Sequence, residues 1–126
     1  GGNISPPLEW FDVPESATEL VLLVEDRDAG PTPFLHWLVT GIDADSDGVA
    51  EGETPPGGRA WVNGFGTPGW GGPHPPPNDD PHRYFFRLYA VDQPLRLPAR
   101  PQVPDVHAAV RRSQLASGTM VGTFAR

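Results

Sequence analysis

Two carboxylates, two imidazoles and a phenol are the side chains of this chain that could act together in chemistry. Asp26 and Asp28 follow an apolar run, and His36, His82 and Tyr84 lie at or near the ends of two further apolar runs, beside glycine- and proline-rich turns. If these ends converge in the fold, the side chains form one polar pocket of the kind that takes small ligands. Imidazoles and a phenol offer hydrogen-bond donors to an anion, and Asp26 could hold one imidazole in a defined tautomer. The residue types therefore predict a site for a small anion.

A loop rich in glycine and proline precedes His82. Residues 69–84 read GWGGPHPPPNDDPHRY. Glycines such as Gly72 permit backbone angles that are closed to other residues, whereas prolines such as Pro75 fix φ and supply no N–H group. We expect a stiff, irregular loop whose backbone amides add donors to the pocket, with His74 as a third imidazole. A rigid connector with no part in binding is the alternative.

Each of these side chains also has an ordinary structural explanation. A histidine on a half-apolar face, as His36 is, is often a hydrogen-bonded structural residue. Asp26 could cap a turn, and Tyr84 could be a core aromatic with a satisfied hydroxyl. Their joint placement beside constrained loops is what favours a binding site.

Metal binding and nucleophilic catalysis are weaker alternatives. His36, His74 and His82 with Asp26 would make a complete tetrahedral zinc set, but no two of them stand at the close spacing of a metal-binding motif. No serine lies in a nucleophile-elbow pattern, the glycine-rich stretch does not match a P-loop, and the chain has no cysteine. The sequence therefore predicts neither a metal nor a cofactor.

Three predicted strands would carry the candidate residues, since each apolar run is rich in β-branched and aromatic residues. They span residues 19–28, 34–42 and 82–92. Because side chains alternate between the two faces of a strand, Asp26 shares a face with Val24 in the first run, while Val21 and Leu23 occupy the other. Apolar residues on both faces predict a strand that is covered on both sides.

The same alternation assigns faces in the other two runs. His36 falls on the face of Leu38 and Thr40, and His82 and Tyr84 point the same way as each other. Each of the three predicted strands therefore carries at least one candidate site residue at or near one of its ends.

The rest of the chain supplies a helix and a closing strand. Residues 105–118 show helical periodicity, with Asp105 as a plausible N-cap and Gly118 as a C-terminal stop. On this helix His107 is expected to face solvent. Residues 119–125 are predicted to form the last strand.

Length and charge limit the classes of function. A chain of 126 residues suits one domain with a single core. The formal net charge of -7 argues against nucleic acid and anionic membranes as partners, because they repel an acidic surface. No apolar stretch approaches the roughly 20 residues needed to cross a bilayer. The chain begins without a signal-peptide pattern, so we expect cytoplasmic placement, or a periplasmic or secreted one if an upstream signal was removed.

Six stretches, taken in order, resemble the phosphatidylethanolamine-binding protein (PEBP) family, and within it the bacterial YbhB/YbcL, or Raf-kinase-inhibitor-like, branch. They are NISPPLEW, VEDRDAG, FLHWLVTGI, GWGGPHPPP, HRYFFRLYAVD and the terminal VGTFAR, and together they extend over nearly the whole chain. The resemblance implies a single domain over residues 1–126. Its expected fold is mostly β: an antiparallel β-sandwich with a short C-terminal helix and a small anion-binding pocket at one end.

The resemblance also selects pocket residues. The family builds its pocket from a DPDAP-like segment, a histidine on the following strand, a glycine-proline loop and an HRY-type segment. Carried over to this sequence, the ligand-binding candidates are Asp26, Asp28, His36, Gly72, His74, Pro75, His82 and Tyr84. The alternation of side chains and the family resemblance therefore select the same strand residues.

Three features depart from the family pattern. The DPDAP-like segment reads DRDAG, so Arg27 and Gly30 replace two prolines, which is expected to loosen the turn and bring a guanidinium near the pocket mouth. His74 stands where bacterial relatives often carry a cysteine or a small residue. Relatives also have an N-terminal segment with at least one strand ahead of NISPPL. We expect either that this segment was lost or trimmed, or that another element, such as the second subunit of a homodimer, covers the sheet edge that it would leave exposed.

Three functions follow from these observations. The first is a non-enzymatic protein that binds a small anion or a phospholipid head group, phosphate-like or phosphoethanolamine, with Asp26 orienting an imidazole and Tyr84 closing the site. The second is a biosynthetic enzyme, an isomerase, cyclase or hydrolase, with acid-base catalysis by His36, His74, His82 and Asp26. The third, a regulator of kinases or proteases, rests on the family resemblance alone.

Overall fold

The computed structural model describes residues 3–73 and 80–124 of the chain. Its strands follow the apolar runs of the sequence, because β-branched and aromatic side chains fit a pleated, half-buried surface. In chain order the elements are β1 (Leu8–Glu9), β2 (Glu19–Asp26), β3 (Phe34–Ile42), β4 (Gly48–Val49), β5 (Arg59–Ala60), β6 (His82–Val91), α1 (Val103–Arg111) and β7 (Gln114–Phe124). The protein is therefore mostly β with one short helix, as predicted.

Two antiparallel sheets and α1 form the layers of the fold. The main sheet has five strands in the order β5-β3-β2-β6-β7, and β1 pairs with β4 in a separate two-stranded sheet. β2 lies at the centre of the main sheet, and every one of its residues after Glu19 is buried. The predicted antiparallel sandwich with a short helix near the C-terminus is confirmed.

The main sheet is covered on both faces. The first core lies on the side of the two-stranded sheet, and its buried residues are Trp10, Leu20, Leu22, Val24, Trp37, Val39, Ile42, Val49, Tyr84, Phe86 and Ala90. The second core lies on the side of α1, and its buried residues are Val21, Leu23, Leu35, Leu38, Tyr89, Val91, Val103, Val106 and Val110. Alternate residues of β2 therefore enter opposite cores, which confirms that this strand is covered on both sides.

An irregularity in β3 decides where one candidate histidine points. Val24 of β2 lies opposite Trp37, but the next residue, Glu25, lies opposite Leu35, so β3 contains one extra residue, His36, at this level. Such a bulge interrupts the alternation of side chains and can re-aim one of them.

The bulge makes the predicted face of His36 wrong. Simple alternation groups His36 with Leu38, and Leu38 is buried in the second core. The centre of the His36 ring instead lies 5.2 Å from the ring centre of Tyr84, a member of the first core. The bulge therefore brings His36 to the sheet face that carries Tyr84 and His82.

Helix α1 is shorter than predicted. It covers Val103–Arg111 rather than residues 105–118, and Asp105 lies in its first turn, where the carboxylate accepts the backbone N–H of Gln102 at 2.8 Å. The following strand, Gln114–Phe124, occupies the segment in which the helix was expected to continue, because its backbone pairs along β6. Among the described residues, no helix is long and apolar enough to span a membrane.

His107 does not face solvent, contrary to the prediction. Its Nε2 lies 2.7 Å from Oε2 of Glu25, a fully buried residue of β2. Its side chain is 28% exposed. The imidazole therefore lies in the seam between α1 and the main sheet.

Candidate anion-binding site

A buried carboxylate, Asp26, ends β2, and three other groups converge on it. Asp26 is 3% exposed and lies opposite Tyr84 of β6. Its Oδ2 lies 2.7 Å from Nδ1 of His82, and its Oδ1 accepts the backbone N–H of Asp28 at 2.8 Å. The hydroxyl of Tyr84 also hydrogen-bonds to this carboxylate. Because an ionised carboxylate can only accept, Nδ1 of His82 carries a proton.

His36 is held in one orientation by a carbonyl and by aromatic rings. Its Nδ1 lies 2.5 Å from the carbonyl oxygen of Gly71 and donates to it, since a carbonyl can only accept. Measured between ring centres, Phe34 lies at 4.9 Å, Tyr84 at 5.2 Å and Phe65 at 5.7 Å. The tautomer and direction of this buried imidazole are therefore set largely by groups outside its own strand.

Tyr84 lies between the two imidazoles. Its ring centre is 5.2 Å from that of His36 and 6.4 Å from that of His82. Burial, together with the charge and hydrogen bond of Asp26, raises the pKa of the Tyr84 hydroxyl to about 12. The phenol therefore keeps its proton at neutral pH. Four predicted residues, Asp26, His36, His82 and Tyr84, are thus brought together, and we call them the candidate anion site, or anion site for short.

Asp28 is committed to Arg83. Its Oδ2 accepts the backbone N–H of Arg83 at 2.8 Å and the side-chain Nε at 3.0 Å, while its Oδ1 accepts Nη2 at 2.9 Å. These hydrogen bonds lower the pKa of the Asp28 carboxyl to about 2. Asp28 therefore fastens the turn after β2 to the start of β6, and its part in ligand binding stays a prediction.

Arg27 lies behind the anion site rather than at its mouth. Its Nη1 is 3.4 Å from Oε1 of Glu25, and its guanidinium carbon is 6.0 Å from the ring centre of Phe85. Glu25 and Phe85 alternate with Asp26 and Tyr84 along their strands, so they face the opposite side of the sheet. The predicted guanidinium near the pocket mouth is therefore wrong.

The glycine loop approaches the anion site through its backbone. The N–H of Gly71 donates to the carbonyl of His36 at 2.9 Å, and the N–H of Gly72 donates to Oδ1 of Asn3 at 2.6 Å. A Cβ on Gly71 would lie 2.5 Å from the Phe65 ring, so close approach favours glycine there, and one on Gly72 would lie 2.7 Å from Oδ1 of Asn3 and displace that side chain. These two amides, expected to serve a ligand, are bonded within the protein.

Other residues of the site were not predicted, or lie outside the described part. Asn3 begins the NISPPLEW stretch, but a lone asparagine in an extended segment has no spacing that marks it as a site residue. His74 and Pro75 lie outside the described residues, so their roles stay predictions, and the weaker zinc alternative, which needs His74, is not tested. Within residues 3–73 and 80–124, no group of three or more His, Cys, Asp or Glu side chains could hold a metal ion.

The chain is similar to one protein family over almost its full length. Residues 1–125 match the family model described as phosphatidylethanolamine-binding protein. A Mycobacterium tuberculosis protein named "Putative lipoprotein LppC" is 44% identical over 126 residues, which cover 98% of this chain but only 61% of that protein. A UPF0098 protein of Methanothermobacter thermautotrophicus is 40% identical, over 100% of this chain and 85% of its own length.

Two solved structures share the fold. The crystal structure of E. coli YbcL, described as a member of the mammalian PEBP family, superposes with a TM-score of 0.86 at 29% identity, over 100% of this chain and 82% of YbcL. The PEBP homologue CT736 of Chlamydia trachomatis gives a TM-score of 0.83 at 33% identity, over 98% of this chain and 82% of CT736. These likenesses agree with the fold inferred from the six sequence stretches.

The phenol of Tyr84 should resist ionisation. In a Tyr89→Phe background, where Tyr84 is the remaining tyrosine, we expect its phenolate absorbance to rise with a midpoint at about pH 12. Because the folded pKa is raised, this contribution to stability is fully present below about pH 10 and is lost as the pH rises towards the folded value. Asp26→Asn should lower the midpoint but leave it above about 10, since burial remains. A midpoint near 10 in the folded protein would contradict the burial of Tyr84.

The carboxyl of Asp28 should titrate at unusually low pH. We expect a midpoint of about 2 by carbon-detected NMR, and a rise towards about 4 in Arg83→Gln. Because the folded pKa is depressed, the associated stability is present above about pH 4 and is lost as the pH falls towards 2. Arg83→Gln should therefore be less stable than the wild type near neutral pH, with the difference shrinking in acid. Arg96→Gln, at an exposed arginine, is the control, and an unchanged Asp28 midpoint in Arg83→Gln would refute the assignment.

Proposed function

Because the chain belongs to the phosphatidylethanolamine-binding protein family, we propose that it binds a small oxyanion, phosphate-like or phosphoethanolamine, at the anion site. Family membership supports a ligand-binding protein, and the side chains at the site support an anion as the ligand. The observation that carries the proposal is the 2.7 Å contact between buried Asp26 and Nδ1 of His82. This contact gives one imidazole a defined tautomer and direction.

Both imidazoles would present the same ring atom to the ligand. Nδ1 of His36 and Nδ1 of His82 are each bonded to a protein oxygen, and in this proposal the ligand meets the Nε2 edge of each ring. Nε2 donates a hydrogen bond only when the ring is doubly protonated. The carboxylate of Asp26, 2.7 Å from Nδ1 of His82, would form an ion pair with the doubly protonated ring and so favour it. Anion binding would therefore be linked to protonation of both rings.

The surroundings of His36 favour electrostatic attraction. Phe34, Phe65 and Tyr84 lie around the imidazole, and aromatic walls lower the effective dielectric constant, which strengthens the attraction between an imidazolium and an anion. The chain as a whole has a net charge of -7 and repels anions. Binding therefore depends on these local donors, which makes it sensitive to single substitutions.

Isothermal titration calorimetry with inorganic phosphate and phosphoethanolamine tests the proposal and separates the two ligand types. His82→Ala removes a donor and Asp26→Asn removes the charge that orients it, so each should weaken binding by about ten- to a hundredfold, as expected for a lost hydrogen bond to a charged group. Asp45→Asn makes the same chemical change at an exposed aspartate and serves as the control. Circular dichroism checks folding. Wild-type affinity in both site variants would rule out the anion site.

The affinity should also depend on pH in one direction. An unperturbed imidazole loses its second proton between about pH 5 and about pH 8, so binding that needs the cationic rings should weaken as the pH rises. Sulfate is the informative ligand here, because its charge stays constant while that of phosphate changes over this range. A sulfate affinity that does not change with pH would show that the imidazoles are not the donors.

An acid-base enzyme is a second candidate, which the Asp26–His82 contact specifically favours. A carboxylate that orients an imidazole is also the arrangement of a general base. The reaction would be an isomerisation, cyclisation or hydrolysis, with His74 as a further acid or base. Incubation with small phosphate monoesters, followed by NMR of the ligand, separates the candidates. An unchanged ligand supports binding alone, whereas a product that disappears with Asp26→Asn supports the enzyme.

Two further proposals concern assembly and placement. β7 is an edge strand of the main sheet in the described part of the chain, and an unpaired edge is where a second subunit of a homodimer would add its own strand. We propose that the protein is cytoplasmic, or periplasmic or secreted if an upstream signal was removed. The mycobacterial relative is named a lipoprotein, which supports the alternative.

A further inference from the structure

A second carboxylate–imidazole pair lies directly behind the anion site. Glu25 precedes Asp26 in β2 and points to the opposite face, where its Oε2 lies 2.7 Å from Nε2 of His107 in α1. Consecutive residues of one strand thus each hold an imidazole: Asp26 holds that of His82, and Glu25 holds that of His107. Glu25 is fully buried, so its carboxylate depends entirely on protein partners.

Two guanidinium groups complete the surroundings of Glu25. Nη1 of Arg27 lies 3.4 Å from Oε1, and Nε of Arg87 lies 3.5 Å from Oε2. Burial by itself would raise the pKa of Glu25, but the hydrogen bond and charge of His107, with the charges of Arg87 and Arg27, lower it below its usual range. Glu25 is therefore a buried charge whose partners come from the turn after β2, from β6 and from α1.

The place of Glu25 in the sheet links this pair to the anion site. Glu25 lies opposite Leu35 in β3 and opposite Phe85 in β6. Leu35 directly precedes His36, the extra residue of the bulge. Phe85 directly follows Tyr84. A side chain that fixes β2 at this level therefore also fixes the segments that direct both rings.

The Glu25–His107 pair is better explained by a role in orienting the strand than by a contribution to the stability of the fold. On the same face of the sheet β2 carries the apolar residues Val21 and Leu23, and α1 packs Val106 against that face. Replacing a buried ion pair with apolar residues of similar volume is often neutral or stabilising, whereas a directional pair can enforce one geometry. A buried Glu25 bonded to His107 therefore points to a role in orientation.

We propose that Glu25 and His107 are positioning residues for the anion site. They hold the end of β2 in the orientation in which Asp26 bonds to His82 and the bulge presents His36. The inference rests on the proposed anion binding only for its effect on affinity, because the orientation of His82 can be measured without a ligand. This positioning couples α1 energetically to the anion site through one strand.

NMR of the ligand-free protein tests the positioning directly. The Nδ1 proton of His82, bonded to a carboxylate, should resonate far downfield, and we expect Glu25→Gln and His107→Ala to shift or broaden its signal. His107 is partly exposed, so His107→Ala keeps the test valid if Glu25→Gln does not fold. Val106→Ala is the matched control, because Val106 packs α1 onto the second core. This control should lower stability and leave the His82 signal unchanged.

Phosphate affinity, measured by calorimetry, is the second readout. We expect binding about tenfold weaker in Glu25→Gln and His107→Ala, the lower end of the scale found for residues that orient metal ligands, and unchanged in Val106→Ala. Wild-type His82 signals in both variants, or the same change in Val106→Ala, would overturn the inference. If the wild-type protein binds no phosphate, the anion-binding proposal fails, and the His82 signal alone then decides whether Glu25 and His107 position the site.

Discussion

The buried carboxylate of Asp26 must be paired, and this requirement constrains the site around it. An unpaired charge at this depth costs several kcal/mol even after relaxation, on the order found for buried ions in proteins. Its partners are the imidazole of His82, the hydroxyl of Tyr84 and the backbone of Asp28. These groups come from the start of β6 and from the turn after β2, so satisfying one carboxylate holds together two strand ends and a turn.

The central strand β2 carries a carboxylate–imidazole pair on each of its two faces. On the side of the first core, β2 ends in Asp26, which lies beside the two imidazoles of the anion site. On the side of the second core, the preceding residue, Glu25, bonds to His107 and approaches two arginines. Because the side chains of a strand alternate, neighbouring carboxylates serve opposite faces of one sheet. The helix, which is remote from the anion site in sequence, is thereby tied to the strand that builds it.

Much of the fold could be predicted, since apolar runs with β-branched and aromatic residues became β2, β3 and β6. The face of His36 could not, because a bulge inserts one residue without leaving a mark in composition. The helix predicted for residues 105–118 ended early because pairing with β6 outweighed weak helical periodicity. The partner of His107 could not be predicted either, because Glu25 lies 82 positions away in the chain and no local pattern joins the two residues. Alternation and family resemblance selected side chains that the fold brings close together, but neither could supply these long-range contacts.

The central claim is that residues remote in sequence gather their imidazoles around one place where an anion binds. A crystal structure of the protein grown with phosphate tests it most directly. The account predicts an anion within hydrogen-bonding distance of Nε2 of both His36 and His82, next to the ring of Tyr84. An anion bound only elsewhere on the protein, or imidazoles whose Nε2 atoms point away from a common space, would contradict it.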